Sequence, residues 1–118
     1  MLPVAEKPVF DREGLLERLG GDTELLDEVL GIFLDECREM LASIRAAVAD
    51  ADVHRVERAA HSMKGALLNI SAEAAAERAL RLEQFGGAGE LELCPEMLAE
   101  LEEQVDRLRD VLLTKELA

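Results

Sequence analysis

Val53-His54-Arg55-Val56-Glu57-Arg58-Ala59-Ala60-His61-Ser62-Met63-Lys64-Gly65-Ala66-Leu67-Leu68-Asn69-Ile70 is the stretch from which the fold is read. Val53, Val56, Ala60, Met63, Leu67 and Ile70 recur at the intervals that line one face of an amphipathic helix. His61 falls one residue off that stripe. The spacing therefore predicts that it stands at the edge of the buried face or on the solvent side. Lys64, Gly65 and Leu68 follow along the same surface line at i+3, i+4 and i+7.

Working outward, Asp50-Ala51-Asp52 leaves almost no room for a loop, so the preceding helix is an antiparallel neighbour, and either Asp can cap the helix that carries His61. That preceding helix starts at the N-cap Asp22 and repeats Leu26, Leu30, Phe33, Cys37, Met40, Ile44 and Val48, a span of roughly 40 Å at 1.5 Å per residue. Before it, Asp11 caps a short helix to about Leu19 with Phe10 stapled onto Leu15, and Gly20-Gly21 stops it. Beyond Ile70, Ser71 is the expected N-cap of a helix with Ala75, Ala79, Leu82 and Phe85 on its buried face. Gly86-Gly87-Ala88-Gly89 reads as a linker, after which Cys94-Pro95-Glu96 opens a last helix with Met97, Leu101, Val105, Leu108 and Leu112 as its stripe. No segment alternates at period two. The expected fold is all-α: an up-down antiparallel four-helix bundle with a short additional N-terminal helix over residues 10–118, preceded by an extended lead-in over residues 1–9.

The 118 residues suffice for one domain, and 49% hydrophobic content supports a core without disulfides or metals. Thirteen basic against 26 acidic residues give a net charge of −13, whose field repels nucleic acid and anionic membranes. Cys37 and Cys94 form no CxxC, and Cys37 lies on a core stripe. With no secretory leader evident, a cytoplasmic setting is expected. No apolar run reaches the roughly 20 residues that span a bilayer.

His61 carries the chemistry. A neutral imidazole offers a lone pair for covalent phosphoryl transfer, provided it is reachable. Lys64 one turn on places an ammonium beside phosphoryl oxygens, and Arg58 one turn back can add to it. Gly65 costs about 0.5–1 kcal/mol relative to Ala inside a helix, so on this exposed line it marks clearance for a partner. Leu68 extends the line as an apolar docking contact. His54, by contrast, reads as an ordinary surface residue, and Arg58, Arg78 and Arg81 have abundant carboxylates with which to pair. A metal site through His54, Glu57 and His61 fails because Ala60 stands three residues after Glu57 and the other helices contain no histidine. No glycine-rich nucleotide loop and no nucleophile–base constellation are present, so phosphate must arrive from another protein.

These residues resemble the histidine-containing phosphotransfer (HPt) domains of multistep phosphorelays. The likeness runs from Phe10-Asp11 through Leu19-Gly20-Gly21-Asp22, Leu25-Leu26 and Phe33 to Ala59-Ala60-His61-Ser62-Met63-Lys64-Gly65, Asn69 and Leu82-Glu83. It implies a four-helix bundle whose acceptor is His61, with Lys64 as the phosphate-side cation and Gly65 as the clearance for a receiver domain. Gly65, Leu68 and Arg58 form the expected docking residues. The chain itself needs no cofactor, because the receiver brings the catalytic carboxylates and Mg²⁺. Leu67 and Leu68 stand where the family has small residues, and Ser71 where it has glycine. The implied protein is a monomeric phosphocarrier serving receiver domains of response regulators or hybrid kinases, not an enzyme. Two other readings compete: the phosphoacceptor and dimerisation fragment of a histidine kinase, and a helical interaction module that has lost transfer.

Overall fold

The computed structural model describes residues 7–117, with side chains over residues 7–114. Five helices follow one another: α1 (Arg12–Arg18), α2 (Thr23–Ala49), α3 (Val53–Asn69), α4 (Glu73–Gly87) and α5 (Cys94–Leu117), with a 3₁₀ turn at Leu91–Leu93 leading into the last. Helices α2 to α5 close a ring of neighbours in which α3 packs on α2 and α4, and α5 on α4 and α2. α1 lies against α2. Of the expected lead-in over residues 1–9, residues 1–6 lie outside the described residues.

Local chemistry sets the element boundaries. Asp11, Asp22 and Asp52 each accept from the backbone N–H three residues on, at Gly14, Leu25 and Arg55, so Asp52 rather than Asp50 caps α3. Helices α1 to α4 all end in the same way. The residue after the C-cap is left-handed, and a pair of reversed hydrogen bonds closes the last turn, as in Ala72 N–H to Leu67 O and Ser71 N–H to Leu68 O. Gly20 and Gly89 fill that position for α1 and α4, but Ala51 and Ser71 fill it for α2 and α3, at φ +52° and +60°. A left-handed non-glycine residue costs roughly 1–2 kcal/mol. At Ser71 the neighbourhood offsets this, because Arg18 Nη2 donates to Ser71 Oγ at 2.6 Å and to the α3 carbonyls of Leu68 and Asn69.

Ser71 is therefore not the N-cap of α4. The closing motif of α3 consumes it, Ala72 occupies the cap position without a side-chain bond, and the carbonyl of Pro8 accepts from Ala74 N–H instead. The glycine run is also not all linker, since Gly86 and Gly87 complete the last turn of α4. Gly86 replaces Phe85 as the buried residue there, with Phe85 half-buried.

In α2 the core takes Leu41 and Ala47 where the spacing pointed to Met40 and Val48, and in α5 it takes Leu98 rather than Met97. α2 and α5 each pack against two neighbours, so the buried sector is wider than a single line and the expected residues stand half-buried at its edge. On α3 the stripe of Val56, Ala60, Met63, Leu67 and Ile70 is buried, while Val53 is only half-buried in the first turn.

The tightest constraint is the contact of α3 with α4. A Cβ placed on Gly86 would lie 2.5 Å from Cγ1 of Val56, which is itself fully buried and has nowhere to move. Gly86→Ala is expected to destabilise the protein by about 1–3 kcal/mol through overpacking, despite alanine's better helix propensity. Urea unfolding of the two proteins measures this as a fall in midpoint at constant m-value.

Candidate functional site

The Ala-rich face of α4 and the small residues of α3 bring the two helices close enough for Glu83 to reach both polar residues of the His61 line. Nδ1 of His61 lies 2.8 Å from Glu83 Oε2, and Nζ of Lys64 lies 2.8 Å from Glu83 Oε1. One carboxylate therefore bridges two side chains a helical turn apart.

Exposure differs along this cluster. The His61 side chain is 65% exposed, whereas those of Lys64 and Glu83 are 22% and 20% exposed. Burial pushes the Glu83 carboxyl up, but hydrogen bonding and charge from Lys64 and then His61 outweigh it and hold the carboxyl below the usual range. Oε1 is buried, and the Lys64 ammonium lies at short range to hold it. An ionised carboxylate only accepts, which places the proton of the His61 ring on Nδ1 and leaves the lone pair of the neutral ring on Nε2.

Gly65 is exposed, and a Cβ added there would meet no heavy atom within 4 Å. Among the described residues no packing contact requires glycine at this position. Leu68 is 47% exposed and, with Leu80 and Ala76, lines a groove of about 230 Å³ between α3 and α4 with Lys64 on its rim. Arg58 lies on the other side of His61, where a groove of about 670 Å³ runs between α2 and α3 past Met40, Ser43, Ala59 and Ser62. Helix α3 thus brings His61, Lys64, Gly65 and Leu68 along one surface and sets Arg58 to one side.

The expected pairing of arginines with carboxylates fails for three of them. Among the described residues Arg58, Arg78 and Arg81 make no ion pair, while Arg45, Arg55 and Arg107 pair with Glu102, Asp50 and Glu103. Spacing along single helices does not report which carboxylates come within reach. His54 is exposed and, among the described residues, has no partner comparable to Glu83. Cys37 and Cys94 are buried free thiols, both pushed up by burial. Among the described residues no cluster of three or more His, Cys, Asp or Glu side chains could hold a metal ion, and no helix is long and apolar enough to cross a membrane.

Glu83 is the site residue that the sequence reasoning passed over, although Leu82-Glu83 lies within the family likeness. One signal was available: Glu83 follows the core residue Leu82 just as His61 follows Ala60, so both stand at the edge of a buried stripe.

The family model of the Hpt domain matches residues 28–111. The chain belongs to the Hpt domain family. Helix α1, the start of α2 and the end of α5 lie outside that span, and a solved structure matches a larger share of the chain. The crystal structure of histidine-containing phosphotransfer protein B (HptB) from Pseudomonas aeruginosa PAO1 superposes with a TM-score of 0.84 at 27% sequence identity, covering 92% of this chain and 94% of that one. No curated protein matches the chain. This Hpt domain accordingly has a histidine phosphotransfer role in phosphorelays, on an all-helical fold shared with HptB.

Gly65 yields a sharp expectation for this Hpt domain. With open space at its Cβ, Gly65→Ala is expected to stabilise the fold by about 0.5–1 kcal/mol through helix propensity alone. Thermal unfolding followed by circular dichroism reads this as a rise in Tm.

Proposed function

We propose that His61 is the phosphoacceptor of this Hpt domain, taking a phosphoryl group from a receiver-domain aspartate and passing it to the aspartate of another receiver. The observation that carries this reading is the pairing of an exposed imidazole, through its Nδ1, with a largely covered carboxylate, which leaves the lone pair of the neutral ring on Nε2. His54 has no such partner.

Each neighbour then has a role. Lys64 is the phosphate-side cation: its ammonium sits one turn from the ring, paired to Glu83 until phosphoryl oxygens arrive to compete for it. Gly65 provides the clearance for the receiver's backbone, which explains a helix-interior glycine that no internal packing requires. Leu68 gives the receiver an apolar contact, and Arg58, without an ion pair of its own among the described residues, faces the receiver's acidic rim. The receiver supplies the carboxylates and the Mg²⁺ that activate its aspartate, so this domain acts as a phosphocarrier with no catalytic activity of its own. Because α2 to α5 close their bundle within one chain, the monomer is the working unit and no dimer is needed to complete the core. A cytoplasmic setting belongs to the same reading.

Incubation with a receiver domain phosphorylated on its aspartate tests the acceptor. The expected result is an alkali-stable, acid-labile label on the wild-type chain that His61→Gln abolishes and His54→Gln leaves in place. Label retained by His61→Gln would sink the assignment.

A further inference from the structure

The groove between α3 and α4 borders the His61 line, and its apolar lining is Leu68, Ala76 and Leu80, with Leu68 47% and Leu80 36% exposed. Two large aliphatic side chains thus meet water at one place. We propose that this groove takes the chain's own residues 1–6, with Leu2 and Val4 covering Leu68 and Leu80, and that a receiver must displace them to reach Leu68. The proposal rests on the receiver docking over Leu68 and adds control of that contact from within the chain.

The point of entry favours this occupant. Lys7, the first described residue, itself lines the groove. The chain is fixed just beyond it, since the carbonyl of Pro8 accepts from Ala74 N–H at 3.1 Å and Asp11 N–H donates to the carbonyl of Ser71 at 3.1 Å. Residues 1–6 therefore join the bundle at the start of α4, where the groove begins. Glu73 and Glu77 line the groove together with Lys7, so the charge there suits the entering chain as well.

Length and composition fit too. Along α4 the groove runs from Glu73 to Leu80, about 10 Å at 1.5 Å per residue. The stretch from Leu2 to Glu6 spans up to about 17 Å when extended, so the chain reaches the far end. Residues 1–5 are Met-Leu-Pro-Val-Ala, without a charge, in a chain of which 33% is charged. Such a run gains by leaving water. A methyl or methylene group fills about the 30 Å³ of a water molecule in the liquid, so the side-chain carbons of Leu2 and Val4 need about 210 Å³. The groove offers about 230 Å³.

On α3, Leu68 stands one turn beyond Lys64 and two beyond His61. A receiver that contacts His61 and Leu68 together competes with a segment seated on Leu68. The segment touches neither ring nitrogen in this arrangement, so it opposes docking and leaves the transfer step as it is. A groove filled two-thirds of the time lowers the receiver's apparent affinity about threefold.

The test compares the full chain with its L2S/V4S double variant, which alters no residue of the helices. In the unphosphorylated protein with ¹³C-labelled Leu and Val methyl groups, NOEs from Leu2 or Val4 to Leu68 and Leu80 are expected, and the Leu68 and Leu80 resonances are expected to shift in the variant. Acceptance of phosphoryl from a phosphorylated receiver is then followed across receiver concentrations. The variant is expected to show a KM about threefold lower with kcat unchanged.

Leu68 and Leu80 resonances that coincide in the two proteins would overturn the occupancy. So would NOEs that arise only between differently labelled copies in a mixed sample, which would assign the groove to a second copy. A KM that coincides in the two proteins, or a change in kcat alone, would overturn the competition. No phosphohistidine on the wild type would overturn the acceptor reading instead, and the methyl contacts would still decide what fills the groove.

Discussion

Close packing of α3 on α4 is the constraint from which the rest of the site follows. Val56, Ala60, Met63 and Leu67 are buried on one helix and Ala75, Ala79, Leu82 and Gly86 on the other, and the backbones approach until Gly86 has no space for a Cβ beside Val56. Only at that separation can a carboxylate rooted on α4 reach a ring on α3. The ends of α3 are fixed with equal economy: Asp52 caps the first turn, while Arg18 gathers two of the last carbonyls and the hydroxyl of Ser71. Helix α1, which looks peripheral, thereby ties down the far end of the helix that carries His61.

Charge is distributed unevenly along the chain. The chain as a whole carries −13, yet the α3–α4 hairpin from Val53 to Gly87 holds five Lys and Arg against four Asp and Glu, so the deficit lies elsewhere. On the proposed function, a receiver that approaches α3 does not meet the full repulsion that the net charge implies. Within the hairpin, Glu83 neutralises Lys64 locally, which keeps a cation ready beside His61 without a standing excess of positive charge.

Much of this was legible in the sequence. The stripe through Val56, Ala60, Met63 and Leu67 gave both the helix and the outward placement of His61, because burial on one face leaves the adjacent position at its edge. Asp caps and glycine stops located most boundaries. Where the reading erred, tertiary structure had overridden a local preference. Ser71 is a good N-cap by type, but the closing turn of α3 claims it first and a carbonyl from Pro8 does the capping. The run from Gly86 to Gly89 looks like a linker because a sequence does not show that glycine is needed for helix approach at Gly86. Glu83 was the main omission, since its importance lies in a contact between helices 22 residues apart along the chain. Periodicity reports which face a residue shares, not what stands opposite.

The central claim is that Glu83 fixes the His61 ring with its proton on Nδ1 and its lone pair on Nε2. Two-bond ¹H–¹⁵N correlation NMR of the imidazole in the unphosphorylated protein, at a pH where the ring is neutral, reads that tautomer directly. A protonated Nδ1 and an unprotonated Nε2 are predicted for His61. A ring carrying its proton on Nε2, or exchanging freely between tautomers, would contradict the claim.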